Sequence, residues 1–348
     1  MPAPRSPLRI AVSDTRSRWS APLPGLLLAA AVTVAAWALQ GVEERLFGHA
    51  IVEAIVLAIL LGMLLRTAWK PGPRWEPGIK LAAKQVLEIA IVLLGASVNL
   101  PLLLSAGAPL VISILLVVVG GLAASYGLGR ALGLNPRLAT LIACGNAICG
   151  NSAIAAVAPV IGADKEDVAS SIAFTAVLGV IVVLGLPLLI PVLAFSDYQY
   201  GALAGMTVYA VPQVIAATFP VSALSGEVGT LVKLVRVLLL GPIVVFFSLR
   251  NRKIGERKLS AGSLIPWFIT GFLVLAMLRS IGLIPAEVAG PVREVSRWMT
   301  VIAMAALGLG VDVRVLGKVG GRVIATVTGS LIVLITLSAA LIRFFGIG

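Results

Sequence analysis

The sequence predicts an all-α, polytopic membrane protein, and three observations carry that prediction. Apolar runs recur from Leu26 almost to the C-terminus, each near the roughly 20 residues a helix needs to cross a hydrocarbon core. Only 12% of the residues are charged, against about 25% in a soluble domain. The runs do not alternate, which removes the β-barrel, whose strands show about 10 residues of alternating polarity. With 59% hydrophobic residues and a mean hydropathy of +1.07, the chain cannot be solvated as a globule. Helices then remain as the way to satisfy every backbone group in lipid.

The elements follow in order. Residues 1–21 form a segment carrying Arg5, Arg9, Arg16 and Arg18, expected to be cytoplasmic. The next run is long for a signal-peptide core and ends in Gln40-Gly41-Val42-Glu43-Glu44 rather than a cleavage site, so it reads as a retained helix. Hydropathy and Gly/Pro punctuation place spans at about 22–40, 50–66, 83–104, 109–129, 138–161, 168–192, 201–221, 227–249, 264–284, 297–313 and 322–345. That makes about 11 transmembrane helices over 22–345. The polar interruptions near 66–82 and 250–263 are too short to fold alone, so residues 1–348 read as one transmembrane domain.

The net charge of +12 is not a nucleic-acid footprint, since no basic stripe with interleaved aromatics appears. Lys and Arg sit in short segments between apolar runs. With the N-terminus cytoplasmic, Arg66 to Lys80, Arg130, Arg137, Arg250 to Lys258, and Arg314 to Arg322 fall inside, as the positive-inside rule requires. Asp164 to Asp167 falls outside. The segment Phe195 to Tyr200 falls inside by count, yet it carries Asp197 and no basic residue.

Transporters are often built from inverted repeats with discontinuous helices. Eleven spans accommodate one peripheral helix plus two inverted five-helix repeats, with span 5 matched to span 10. Two local echoes do not keep that offset. Leu94-Gly95-Ala96-Ser97-Val98-Asn99 resembles Leu307-Gly308-Leu309-Gly310-Val311-Asp312, and Ser152-Ala153-Ile154-Ala155-Ala156 with Pro159 resembles Gln213-Val214-Ile215-Ala216-Ala217 with Pro220.

The stretch Cys144-Gly145-Asn146-Ala147-Ile148-Cys149-Gly150-Asn151-Ser152 holds two Cys-Gly-Asn triplets at membrane depth. Gly and Asn disfavour helix, so an unwound segment is expected there, and it needs protein or a water-filled cavity beside it. Its half-helix N-terminus, with Asn151 and Ser152 in cap-like positions, suits an anion. The competing reading is a close helix crossing through small residues. Lys233 and Arg236 lie three apart on one helix face, with Arg236 near mid-membrane. Intramembrane cations are functional candidates, here for an anionic ligand; the alternative is snorkelling of Lys233 and pairing of Arg236 with Asp312 or Glu88. Tyr209 and Gln213 flank Pro212, which frees a carbonyl or merely kinks the helix. Asn99 and Asp312 read as helix-end residues.

Other chemistries fall away. The lone histidine, His49, supports no metal site or catalytic dyad, Ser152 has no evident base, and no phosphate-binding loop appears. Neither a cofactor nor an enzymatic activity is expected. Cys144 and Cys149, five apart, point to different helix faces and read as small packing residues.

At Cys149-Gly150-Asn151-Ser152-Ala153-Ile154-Ala155-Ala156, followed by Ala158-Pro159-Val160-Ile161, the sequence resembles the sulfate exporter family of YeiH-type conserved bacterial membrane proteins. Gln213-Val214-Ile215-Ala216-Ala217 and Val232-Lys233-Leu234-Val235-Arg236-Val237 extend the resemblance in order and spacing. Many members carry a His-Glu pair where this chain has Tyr209-Ala210, so a shared proton-coupling role is not carried over. The resemblance implies export of a sulfur-containing anion. The expectation is thus a multi-pass secondary transporter of a small anion, sulfate or an organosulfonate, in the bacterial inner membrane. Its substrate-binding residues would be Gly145, Asn146, Cys149, Gly150, Asn151, Ser152, Tyr209, Gln213, Lys233 and Arg236. Glu53, Glu88 and Asp312 are the acids available for ion coupling. The expected partners are the anion and the lipid bilayer, with a homo-oligomer left open. An anion channel and a non-transporting membrane subunit are the competing readings.

Overall fold

The computed structural model describes residues 22–47, 52–97, 107–250, 266–312, 314 and 320–348. The predicted N-terminal segment, His49, Asn99 and the basic segment 251–258 lie outside them. The described residues contain helices and no strand. In chain order these are α1 (Leu23–Phe47), α2 (Ala54–Ala68), α3 (Glu76–Leu81), α4 (Leu87–Gly95), α5 (Gly107–Ala131), α6 (Pro136–Cys144), α7 (Asn151–Ile161) and α8 (Lys165–Gly185). They continue with α9 (Leu189–Leu193), α10 (Asp197–Thr207), α11 (Val211–Thr218), α12 (Ala223–Leu238), α13 (Leu240–Arg250), α14 (Trp267–Ser280), α15 (Ala286–Leu309) and α16 (Gly321–Phe344). A π-helical segment, Ala82–Val86, joins α3 to α4, and a second, Gly145–Cys149, extends α6. Four helical stretches among the described residues are long and apolar enough to cross a membrane: Leu23–Phe47, Gly107–Ala131, Ala223–Arg250 and Gly321–Phe344.

The helices form two bundles. In the first, α2 and α15 pack together, with α1, α3, α4 and α14 around them; α5 to α13 and α16 form the second, and α11 makes the main contact between the two. Close approach in the first bundle needs missing side chains. A Cβ on Gly308 would stand 2.2 Å from the Ile59 carbonyl oxygen, and one on Gly62 would stand 2.5 Å from that of Ala305.

Predicted spans 5 and 7 do not cross the molecule. Arg137 Nη1 lies 3.3 Å from Asp164 Oδ2, and Asn135 Nδ2 donates to Asp167 Oδ1 at 3.0 Å. The start of α6 and the start of α8, which follows α7 after a short turn, therefore lie side by side. The helices α6 and α7 form a hairpin, with its tip at Gly150. The same holds for α10 and α11. Ser225 Oγ, in the first turn of α12, donates to the Asp197 carbonyl at the start of α10 at 2.8 Å, and Tyr200 Oη donates to the Ala217 carbonyl near the end of α11 at 2.8 Å. At 1.5 Å per residue the four hairpin arms measure only about 12–21 Å, short of a bilayer's roughly 30 Å core.

The two hairpins enter from opposite ends. Residues 133–137 and 164–167 share the near end with the start of α16, since a Cβ on Gly133 would stand 3.3 Å from the Arg322 guanidinium. The far end holds the C-terminus of α16: Arg343 Nη2 donates to the Leu193 carbonyl at 2.8 Å and its guanidinium lies 5.7 Å from the Phe195 ring. Phe195 to Tyr200, the segment that broke the charge rule, thus lies at the end opposite Arg137. Asp164 to Asp167 joins Arg137 rather than facing away from it. Each correction follows from one fact, that a hairpin does not change sides. The expected match of spans 5 and 10 also fails, because α15 runs unbroken from Ala286 to Leu309 and the second break lies at 208–210.

Candidate functional site

The tip of the first hairpin is built by its sequence. Gly145–Cys149 widens into a π turn and Gly150 takes φ +64°, ψ −126°, a backbone region open essentially to glycine alone. The chain reverses there, and α7 begins at Asn151 with Gly150 as its cap residue, so Asn151 and Ser152 occupy the first turn rather than the cap. In the second hairpin α10 ends at Thr207, and Val208, Tyr209 and Ala210 form the tip. Pro212 does not kink a helix; it lies in the first turn of α11, where its missing N–H costs nothing. Tyr209 and Gln213 are consequently not on one helix face. Gln213 Oε1 instead accepts from the Ala210 amide at 3.2 Å, while its Nε2 donates to the Thr175 carbonyl of α8 at 3.3 Å.

The tips meet. A Cβ on Gly150 would stand 3.6 Å from that of Tyr209, whose ring packs edge-on against Phe174 of α8, centroids 6.3 Å apart. Lys233 and Arg236 of α12 reach into the junction, both 0% exposed. Lys233 Nζ donates to the Ile148 carbonyl and to that of Val208 at 2.7 Å. Arg236 Nη2 donates to Asn146 at 2.9 Å and Ala147 at 2.7 Å, its Nε to Ala147 at 3.1 Å, and its Nη1 to Gly205 at 2.8 Å and Val208 at 3.4 Å. All these acceptors are backbone carbonyls at the C-terminal ends of α10 and of the π-extended α6.

Neither alternative open at the sequence level holds: Lys233 does not snorkel, and Arg236 pairs with neither Asp312 nor Glu88. Arg236 does not directly face an anion, because carbonyls take all of its donors, and they take two of the three donors of Lys233. The effect of both side chains on the site is electrostatic. Each helix C-terminus carries roughly half a negative charge, which the two basic side chains lying over these ends offset. The first-turn N–H groups of α7 and α11, which have no partner within their own helices, add positive potential.

The remaining residues divide by position. Asn146 is buried, donating through Nδ2 to Ser330 Oγ of α16 at 2.5 Å, and its Oδ1 has no partner among the described residues. The Tyr209 hydroxyl is likewise buried and unpartnered. Asn151 Oδ1 accepts from the Thr175 hydroxyl, and Asn151 and Ser152 are exposed. Cys149 and Cys144 are buried free thiols. The structure thus gathers all ten candidates at or beside the junction. Thr175, Phe174 and Ser330 were missed, since one Thr, Phe or Ser in an apolar run gives no signal.

The acids lie elsewhere. Glu53 pairs with Arg297 at 3.7 Å, and Glu88 accepts from the Trp267 indole at 2.8 Å. Asp312 accepts from Arg314; that residue's backbone N–H foremost holds the carboxyl below its usual range. Glu227 was not singled out, yet it joins the bundles by pairing with Arg293 at 3.3 Å. Beside that pair lies a cavity of about 240 Å³ between the bundles, lined by Glu53, Leu94, Ile215, Phe219, Arg293 and Arg297 among others.

Known proteins share this chain over most of its length. Residues 24–327 match the family described as conserved hypothetical protein 698. The chain belongs to that family. A relative in Bradyrhizobium diazoefficiens, described as a UPF0324 membrane protein, is 56% identical over 94% of this chain and 95% of its own. One of the same description in Brucella melitensis is 55% identical, covering 93% of this chain and 91% of its own. Another in Bacillus anthracis is 35% identical, covering 78% and 81%. No solved structure matches. Family and apolar helices together make this a membrane protein of a conserved bacterial family.

Proposed function

We propose that the protein is a secondary transporter of a small anion, sulfate or an organosulfonate, across the bacterial inner membrane. One observation carries the reading: two hairpin tips meet beside two buried cations with no carboxylate paired to either among the described residues. The anion would sit against the first turns of α7 and α11, using the amides at Asn151 and Ser152 and the Tyr209 hydroxyl. Arg236 and Lys233 would supply potential from behind the tips. The unmatched Asn146 Oδ1 favours an anion that carries a donor of its own, such as an amino- or hydroxy-sulfonate.

In this reading nine helical crossings and two re-entrant hairpins replace eleven crossings. The inverted repeat is circularly permuted: the second hairpin with α12 and α13 precedes α14, α15 and α16 in sequence, whereas α2 to α5 precede the first hairpin. Both sequence echoes then fall at matching places, one at the ends of α4 and α15, the other at the starts of α7 and α11. The near end, with Arg130, Arg137 and Arg322, is assigned to the cytoplasm. Alternating access would move the hairpin bundle against the other bundle, with the cavity between them as the far-side route.

The test is uptake of radiolabelled sulfate, sulfite and taurine into proteoliposomes by wild type and Ser152→Asp. A carboxylate in the first turn suits the helix end by about 0.3–1 kcal/mol, so the variant folds, but it occupies the anion's place and flux falls at least tenfold. Equal flux in the variant removes the α7 terminus from the mechanism. No flux of any of these anions by wild type overturns the transporter reading for them.

A further inference from the structure

Broken helices inside a bilayer commonly present unwound carbonyls and half-helix C-terminal ends to a coupling cation. This chain has two such ends facing one another, with the carbonyls of Asn146, Ala147, Ile148, Gly205 and Val208 converging on one junction. Oxygen ligands of this kind, gathered from two elements, are what a hard cation such as sodium requires. Here every one of the five already accepts a hydrogen bond from Lys233 or Arg236.

We propose that Lys233 and Arg236 are resident cations that occupy the place of a coupling metal ion, so that the hairpin junction works without sodium or any other inorganic cation. The inference rests on the transporter reading only for what the junction serves; the occupancy stands on geometry. The two side chains lie three residues apart on one face of α12, both are 0% exposed, and both point at the same pair of helix ends. Arg236 spreads its donors over both hairpins, touching Asn146 and Ala147 of the first and Gly205 and Val208 of the second. Lys233 bridges Ile148 and Val208 with a single ammonium, the role a bare ion between two tips would play. A sodium ion entering the junction would have to displace one of these donors and sit beside the other positive charge. Among the described residues no carboxylate is paired to either cation to offset it. A side chain held covalently also cannot leave the junction as a metal ion would, so this junction contributes no sodium gradient to the transport cycle.

The experiment uses the purified full-length protein and reads sodium and stability, not flux. Thermal midpoints are compared in sodium, potassium and choline chloride at one ionic strength, and binding of radioactive sodium is measured directly. Wild type is expected to show equal midpoints and no saturable sodium binding. Lys233→Ala is expected to melt lower than wild type and to recover, saturably, with methylammonium or sodium, which fit the vacated site, but not with tetramethylammonium. Saturable sodium binding by wild type, or a midpoint that rises with sodium as linkage demands, overturns the proposal. An unchanged midpoint in Lys233→Met overturns it as well. Should Lys233→Ala not fold, the wild-type measurements decide alone. A protein indifferent to sodium that also moved no anion would sink the transporter reading and leave this one standing.

Discussion

Gly150 is the residue on which the first hairpin turns. Its φ of +64° with ψ −126° lies where a Cβ strains the backbone, while the space around it is ordinary, with Tyr209 Cβ 3.6 Å from a built Cβ. Gly150→Ala should therefore cost about 1–3 kcal/mol from strain alone, read as a lowered unfolding midpoint in detergent. A cost within error would show that the tip relaxes. The same scale explains why two buried cations persist. Removing either leaves buried carbonyls without donors, at about 1–3 kcal/mol for each orphaned group, which sets a high barrier to losing Arg236 whatever its role in binding.

Whether an apolar segment of two dozen residues is one span or two half-spans is decided at the level of the element. The contacts Arg137–Asp164 and Ser225–Asp197 say that both ends of each hairpin emerge at one end of the molecule, and the contacts with Arg322 and Arg343 at the two ends of α16 put the two hairpins at opposite ends. Substituted-cysteine labelling in intact cells checks this directly. Asp164→Cys and Arg137→Cys should react with a membrane-impermeant maleimide from one side, and Ser196→Cys from the other. The native thiols, Cys144 and Cys149, are buried and give little background. Labelling of positions 137 and 164 from opposite sides would restore a crossing helix and dismantle the site.

At the scale of the molecule, two bundles share an interface made mainly by α11, with the Glu227–Arg293 pair and a cavity of about 240 Å³ on its far side. An interface that holds an ion pair and a cavity suits relative motion. If transport needs that motion, joining the bundles should stop it. Glu227→Cys with Arg293→Cys, bridged by a short reducible cross-linker, should lose more than nine-tenths of anion flux and regain it on reduction. Undiminished flux through fully bridged protein would favour the channel reading.

The sequence by itself determined the solvent, the helical class and the site's inventory. Apolar runs and missing charge exclude water as the surroundings, two Gly-Asn pairs disfavour a continuous helix near Gly150, and Lys233 with Arg236 on an apolar helix demands a buried partner. Hydropathy could not see the reversals, because a hairpin arm and half of a crossing helix have the same composition; the only trace was Phe195 to Tyr200, acidic where the count required basic residues. Tertiary structure alone decided that spans 5 and 7 fold back and that their breaks face each other. It also decided that Lys233 and Arg236 turn toward backbone carbonyls. Orphaned carbonyls of two helices separated by about 60 residues become one cation site only when packing brings them together, and no local pattern encodes that distance.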